Sequence, residues 1–145
     1  WRGETSFKGP FTSWTGVEAS PRPIQAGGPP IHLGGNAPAT FLRAVRRTHG
    51  WYGFLTTVES TASAVKTIRH LENELGRPSG MKPVRISVSP SEHVDQDLIN
   101  RYKDLGVDRM ILVRDFRDVA RGPEPTRAKA VMRFLAETPG QLNFN

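Results

Sequence analysis

Pro29-Pro30-Ile31-His32-Leu33-Gly34-Gly35-Asn36-Ala37-Pro38-Ala39-Thr40 sets a strand, a turn and the start of a helix side by side. Ile31-His32-Leu33 has the apolar character of a short buried strand. Gly34 and Gly35 let the chain turn sharply and let a ligand come close to the backbone. Asn36 suits the cap that opens a helix, and Pro38 is tolerated in a first turn. Such a junction aims backbone N–H groups and a helix N-terminus at one point, a ready site for a phosphate. A plain tight turn from strand to helix accounts for the same residues. Asn36 serves as a cap alone, as a phosphate contact, or as both.

Upstream, residues 1–30 are rich in Gly and Pro, show no helical period, and scatter Phe7, Phe11, Trp14 and Val17 among turn residues. They read as an irregular insertion with room for one short hairpin. Ser20-Pro21-Arg22-Pro23-Ile24-Gln25 is expected to be extended, because each proline biases its predecessor away from helix.

Downstream, a strand-then-helix rhythm repeats. Phe41, Ala44 and Val45 share one helical face. Trp51-Tyr52-Gly53-Phe54-Leu55 is the second strand. Thr57 caps a helix whose apolar stripe is Ala64, Ile68, Leu71 and Leu75, and which Gly76 and Pro78 stop. Val84-Arg85-Ile86-Ser87-Val88 is the third strand, and its alternation makes one face less apolar. A helix through Leu98, Tyr102 and Leu105 ends at Gly106. Arg109-Met110-Ile111-Leu112-Val113 is the fourth strand, an apolar run of the kind that parallel sheets bury. A last helix carries Ala128, Val131 and Leu135 and stops at Pro139-Gly140, leaving a loose tail. The domain reading is an insertion over 1–30, four βα units over 31–140, and a tail over 141–145. Four consecutive units predict an α/β fold with a parallel sheet and right-handed crossovers. An open doubly wound sheet and about half of a (βα)8 barrel both fit, since a full barrel usually takes about 250 residues.

The bulk properties narrow the function classes. A chain of 145 residues is long enough to bury a core, and 37% hydrophobic with 23% charged residues is globular rather than disordered. No run is long and apolar enough to span a membrane. The zero cysteine count excludes disulfides, thiolate metal sites and cysteine nucleophiles. The first residues, Trp1-Arg2-Gly3-Glu4, carry no apolar targeting core and start in mid-pattern, so the expectation is a cytoplasmic protein and a fragment of a longer one. The net charge of +6 comes from scattered Lys and Arg, densest at Arg43, Arg46 and Arg47 on the outside of one helix. That is the pattern of a solvated helix face rather than of a nucleic-acid stripe, so no nucleic-acid partner is expected.

Pro21-Arg22-Pro23-Ile24-Gln25, then Pro29-Pro30-Ile31-His32-Leu33-Gly34-Gly35-Asn36, then Arg43-Ala44-Val45-Arg46, then Gly50-Trp51-Tyr52 together resemble the bacterial-luciferase-like monooxygenase family, most closely its deazaflavin-using branch. Leu105-Gly106-Val107-Asp108-Arg109-Met110-Ile111-Leu112 resembles that family's last barrel strand. Each piece is common alone, while the ordered set is specific and covers nearly the whole chain. The resemblance implies a (βα)8 barrel of which this chain is the C-terminal half. It implies an oxidoreductase that binds FMN or the deazaflavin coenzyme at the C-terminal mouth of the barrel and acts on small organic substrates. It places the phosphate contacts at Gly34, Gly35, Asn36 and Ala37. It also implies that His49, where Asp is common before Gly-Trp, tightens that turn less well.

His32 is a strand residue, packed or hydrogen-bonded by ordinary expectation, but near enough to the diglycine to meet a bound ring. Trp51 and Tyr52 are core residues or pocket walls. His32 and Trp51 therefore join Gly34, Gly35, Asn36 and Ala37 as candidate cofactor-binding residues. Arg114 and Asp115 follow the fourth strand on the active-site side, as a cofactor contact or a structural pair. Glu72 and Glu74 read as a helix exterior. His70 and His93 read as surface, and no histidine has zinc spacing. There is no nucleophile elbow and no phosphate-binding P-loop, so no acid, base or nucleophile is assigned. A half-barrel also exposes two strand edges. The alternative to an enzyme is thus a non-catalytic cofactor-binding module that self-associates or is completed by a missing N-terminal half.

Overall fold

The elements follow the sequence rhythm closely. The structure is a computed structural model that describes residues 3–113 and the backbone of 124–141, with the side chains of 128–137. It divides into a unit ending at Ile31 and a unit beginning at His32.

In the first unit, β1 (Ser6–Lys8) and β2 (Ser13–Thr15) form an antiparallel hairpin with Phe7 opposite Trp14. Their rings stack at 6.1 Å. Gly9 N donates to Thr12 O at 2.9 Å and closes the turn. Cross-strand aromatic pairing of this kind is what a short two-stranded ribbon needs.

In the second unit the elements run β3 (His32–Gly34), α1 (Pro38–Arg47), β4 (Gly50–Thr56), α2 (Val58–Leu75), β5 (Arg85–Pro90), α3 (Gln96–Asp104), β6 (Arg109–Met110) and α4 (Glu124–Gln141). The sheet order is β3-β4-β5-β6, all parallel. That order has no reversal. A doubly wound sheet reverses at its switch point, so the arrangement is that of an arc of a (βα)8 barrel.

One face of the sheet carries Trp51, Ile86 and Val88, and all three intervening helices pack their buried stripes against it. Phe41, Ala44 and Val45 come from α1, Ala64 and Ile68 from α2, Leu98 and Tyr102 from α3. Each large apolar side chain buried there contributes roughly 1.5–3 kcal/mol relative to exposure.

The helix ends depart from expectation in instructive ways. Thr57 does cap α2, in a reciprocal capping box with Ser60, and Gly76 closes that helix with φ +67°. Asp95 caps α3 by accepting from Leu98 N at 2.8 Å. Asn36, however, is not the cap of α1. Ala37 holds that position with no side-chain hydrogen bond, because Pro38 is already the first helical residue.

Glu72 is not an exterior residue. Its carboxylate accepts from Val84 N at 2.6 Å and from Arg69 Nη1 at 2.7 Å, which ties α2 to the start of β5. Glu74 is exposed, as are His70 and His93. Strand β6 is shorter than its apolar run suggests, though Ile111 N still donates to Val88 O at 2.8 Å. Helix α4 continues through Pro139 and Gly140 to Gln141, since a proline this near the end removes few backbone bonds. Arg114, Asp115 and residues 142–145 lie outside the described residues.

Arg77, directly after the α2 cap, holds the end of α1. Its guanidinium donates to Ala44 O at 2.9 Å, to Thr48 O at 2.7 Å, to Val45 O, and to Lys82 O at 3.1 Å. The first three lie in the last turn and C-cap of α1, where an α-helix leaves carbonyls short of intrahelical donors, although Ala44 O also accepts from Thr48 N. Arg46 and Arg47 in the last turn also complement the dipole there. Burial lowers the pKa of Arg77, and Glu72 opposes that shift.

Candidate functional site

All parallel strands end on the same rim, and β3 reaches it at Gly34. The next residue, Gly35, has φ +112°, a conformation that favours glycine. A Cβ there would also meet Thr40 Oγ1 at 3.3 Å. Gly34 differs: its φ is ordinary and a Cβ would make only a normal contact, 3.6 Å from Tyr52 O. Gly35 alone is dictated by the backbone.

Trp51 fixes this turn from below. The side chain is fully buried, its edge meets the Phe41 ring at 5.8 Å, and its Nε1 donates to Gly35 O at 2.8 Å. With the Gly35 carbonyl engaged, the chain passes directly into α1. The first turn of α1 has no side-chain cap and no acidic residue. Thr40 N donates to Ala37 O at 2.8 Å, and residues Gly34 to Ala39 are exposed. The positive end of a ten-residue helix thus opens to solvent beside a glycine turn, with nothing anionic in its first turn to neutralise it.

Gly34, Gly35, Asn36 and Ala37 are therefore contiguous on the rim. Trp51 lies beneath them as a core residue that holds the turn. His32 is not gathered with them. It sits at the opposite end of β3, about 10 Å from Gly35 at the usual rise per residue, with its ring against Gly50. There it shares the lower end of the sheet with Arg85, Arg109, His49 and Asp108. Burial first, and then Arg109, Arg85 and His49, hold its pKa below the ordinary histidine value. The turn at His49 is secured from its neighbours: Thr48 Oγ1 donates to Gly50 O at 3.1 Å, and Arg85 N donates to His49 O at 3.0 Å.

The rim continues across β4 and β5. The β4–β5 register shifts between Gly53 and Thr56, and Leu55 adopts φ +48°, rare for a non-glycine residue. Phe54 and Leu55 are exposed, as are Ile111 and Val113 after β6. Just behind the rim, Tyr102 Oη donates to Thr56 O at 2.7 Å, and Thr56 Oγ1 pairs with Ser60 Oγ and Thr61 Oγ1. Burial and the neighbouring Glu92 carboxylate push the Tyr102 phenol up to about 12.

A group that sequence reasoning missed lies on the sheet face away from the helices. Tyr52 Oη and Ser89 Oγ share a hydrogen bond of 2.7 Å, and Phe54 tilts against the Tyr52 ring at 6.2 Å. Tyr52 is paired across the strands with Ser87. The alternation Arg85-Ile86-Ser87-Val88-Ser89 carried the signal: every second residue of β5 is polar.

Among the described residues no three His, Asp or Glu side chains come together as metal ligands would, and no helix is long and apolar enough to cross a membrane. The family whose description is luciferase-like monooxygenase matches residues 1–125. No curated protein matches the chain.

Proposed function

The chain belongs to the luciferase-like monooxygenase family, and from that premise we propose that it is the C-terminal portion of a flavin- or deazaflavin-dependent oxidoreductase whose cofactor phosphate is held at the Gly34–Ala37 turn. Members of the family generally use reduced flavins or deazaflavins. One observation carries the proposal: the Gly35 turn runs straight into an uncapped, exposed helix N-terminus on the rim where the parallel strands end. Active sites of (βα)8 barrels sit on that rim. The donor chemistry fits a phosphate monoester, because backbone N–H groups and the helix dipole favour an anion and no carboxylate of the first turn competes for them.

In this reading the cofactor supplies the reducing equivalents. The chain's own residues bind and orient. Gly35 provides the close approach, Trp51 locks the Gly35 peptide, and α1 supplies the dipole. Asn36 is free of capping duty and is exposed, so its amide is available to the anion. The preference among the two cofactors is for the deazaflavin coenzyme, on the likeness of the Pro29–Asn36 and Gly50–Gly53 segments. The substrate is a small organic molecule, and no metal or nucleic acid takes part.

A fluorescence titration of FMN and of the deazaflavin coenzyme tests this. Gly35→Val is expected to weaken binding at least about tenfold, and Gly34→Ala much less, because only the former forces a side chain into a strained φ. Equal binding by all three proteins would refute the cradle.

A second reading is favoured by a separate observation. Strands β3 and β6 are the outer strands of the described sheet, and Ile111 and Val113 are exposed just after β6. Such edges pair with other strands. The remaining strands of a barrel then come from an N-terminal half or from a second copy of this chain. Sedimentation velocity distinguishes these: a concentration-dependent dimer supports the second copy, and a monomer that captures an added N-terminal half supports the first.

A further inference from the structure

The sheet face away from the helices carries unanswered charge at its lower end, far from the cradle. His32, Gly50 and Arg85 stand side by side on β3, β4 and β5, and paired residues of parallel strands point to one face. Arg109 is paired with Ser87, two residues beyond Arg85, so it points to that face as well. Gly50 puts no side chain between its neighbours, and the His32 ring lies over it: a Cβ there would collide with the ring. Arg85 and Arg109 are exposed and His32 is half-buried. Both arginines are close enough to act on His32, as are His49 and Asp108.

No acid balances these cations on that face. None of the strand residues that share it is acidic, and neither arginine has an ion pair among the described residues. Asp108 is already engaged, its Oδ2 accepting from Ile86 N at 2.7 Å. In an arc of a barrel the face away from the helices is the interior. Closing the barrel takes that face out of water, and a buried guanidinium is costly unless a carboxylate meets it. A second copy of this chain supplies none. Closing the arc with itself would set Arg85 and Arg109 of both copies in one enclosed layer, where like charges repel.

We propose that this layer is an interaction surface for strands that bear carboxylates: the strands that complete the barrel point Asp or Glu side chains at His32, Arg85 and Arg109. This rests on the reading of the sheet as an arc of a barrel, and it selects between the two completions of that arc, favouring a separate N-terminal half over a second copy. Arginine suits the role, since its planar guanidinium takes a carboxylate through two parallel N–H bonds. The layer lies at the opposite end of the strands from the Gly34–Ala37 turn, so it chooses the partner without touching the cradle.

The chain carrying Arg85→Glu together with Arg109→Glu is the probe, since it offers the same strands with carboxylates in that layer. Sedimentation velocity compares it alone, the unaltered chain alone, and their equimolar mixture. The expected result is a mixed dimer at least about tenfold tighter than the dimer either chain forms alone. Arg85→Gln together with Arg109→Gln removes the repulsion and supplies no acid. That variant should self-associate at least about threefold more tightly than the unaltered chain. Neither arginine has a described ion pair to lose, so circular dichroism should show both variants folded; should the Glu variant unfold, the Gln variant carries the test alone. A mixed dimer no tighter than the dimer of the unaltered chain overturns the proposal. A Gln variant that dimerises only as the unaltered chain does overturns it too, while leaving the barrel reading in place. No association in any sample defeats the barrel arc along with the charged layer. Self-association of the unaltered chain that phosphate raises over chloride at equal ionic strength, to the level of the mixture, assigns the layer to a free anion and overturns the carboxylate partner.

Discussion

Arg77→Met is the most revealing single change to the scaffold that carries the site. Methionine keeps much of the length and apolar stem of arginine but removes every donor. The carbonyls of Ala44, Val45 and Thr48 at the end of α1 lose a charged partner, and so does Lys82 O. Glu72 retains Val84 N and Arg69, so the change does not strand a buried carboxylate. Its pairing with Arg77 is long, 3.8 Å, and adds little. Counting about 1 kcal/mol for each of the three α1 carbonyls, the ordinary net value of a hydrogen bond and below the range for charged donors because water partly replaces the guanidinium, gives a loss of about 3 kcal/mol. For a domain of this size that is a fall in Tm of about 9 °C. Urea unfolding followed by far-UV circular dichroism, with a thermal scan, measures both. Arg77→Lys should recover less than half of the loss, since a single ammonium cannot fork to several carbonyls. A loss in Arg77→Met below about 1 kcal/mol, with an unchanged denaturant slope, would refute the view that this guanidinium anchors α1.

Trp51→Phe removes the indole donor to Gly35 O while keeping an aromatic in the core. It should cost about 1–2 kcal/mol in urea unfolding and weaken FMN binding, because the turn loses its lock. Tyr102→Phe deletes the bond to Thr56 O and should cost about 1 kcal/mol. In the unaltered chain the Tyr102 phenol should titrate near about 12 by absorbance at 295 nm, so stability is expected to fall as pH rises from 10 toward that value. His32 is held below its ordinary pKa by burial and by Arg109, Arg85 and His49. The folded chain therefore takes up a proton there less readily than the unfolded chain. Stability should drop as pH falls through the ordinary histidine range toward the lowered value, and His32→Gln should flatten that drop.

Much of the fold is written in local patterns. The strand–helix alternation, the Thr57 cap and the Gly76 stop each rest on residues within one or two turns of each other, so periodicity finds them. The sheet order could not be read that way. Period alone fits both a barrel arc and a doubly wound sheet, and only the pairing of β3 with β4 and of β5 with β6 separates them. Arg77 and Glu72 were illegible for a related reason. Their partners lie on other elements, and a charged residue on a helix looks solvated until the neighbouring strand is in place.

At the site, the diglycine was legible as a turn, but the distinct demands on its members were not. Gly35 needs its φ and Gly34 does not. Asn36 looked like the cap because its side chain suits that role, and the ring of Pro38 fixes the helix start one residue later. His32 was misplaced by the shortness of β3: a few residues are enough to carry it from the rim to the opposite end of the sheet. The Ser87–Ser89 alternation was visible, and its meaning emerged only with Tyr52 set beside it.

The most direct test of the phosphate cradle is the affinity ratio of FMN to riboflavin, which differ only in the phosphate, measured by flavin fluorescence on the unaltered chain and on Gly35→Val. The expected ratio is at least about tenfold in favour of FMN, collapsing toward unity in Gly35→Val. Equal affinities in the unaltered chain would contradict the claim that the Gly34–Ala37 turn and the N-terminus of α1 hold the phosphate.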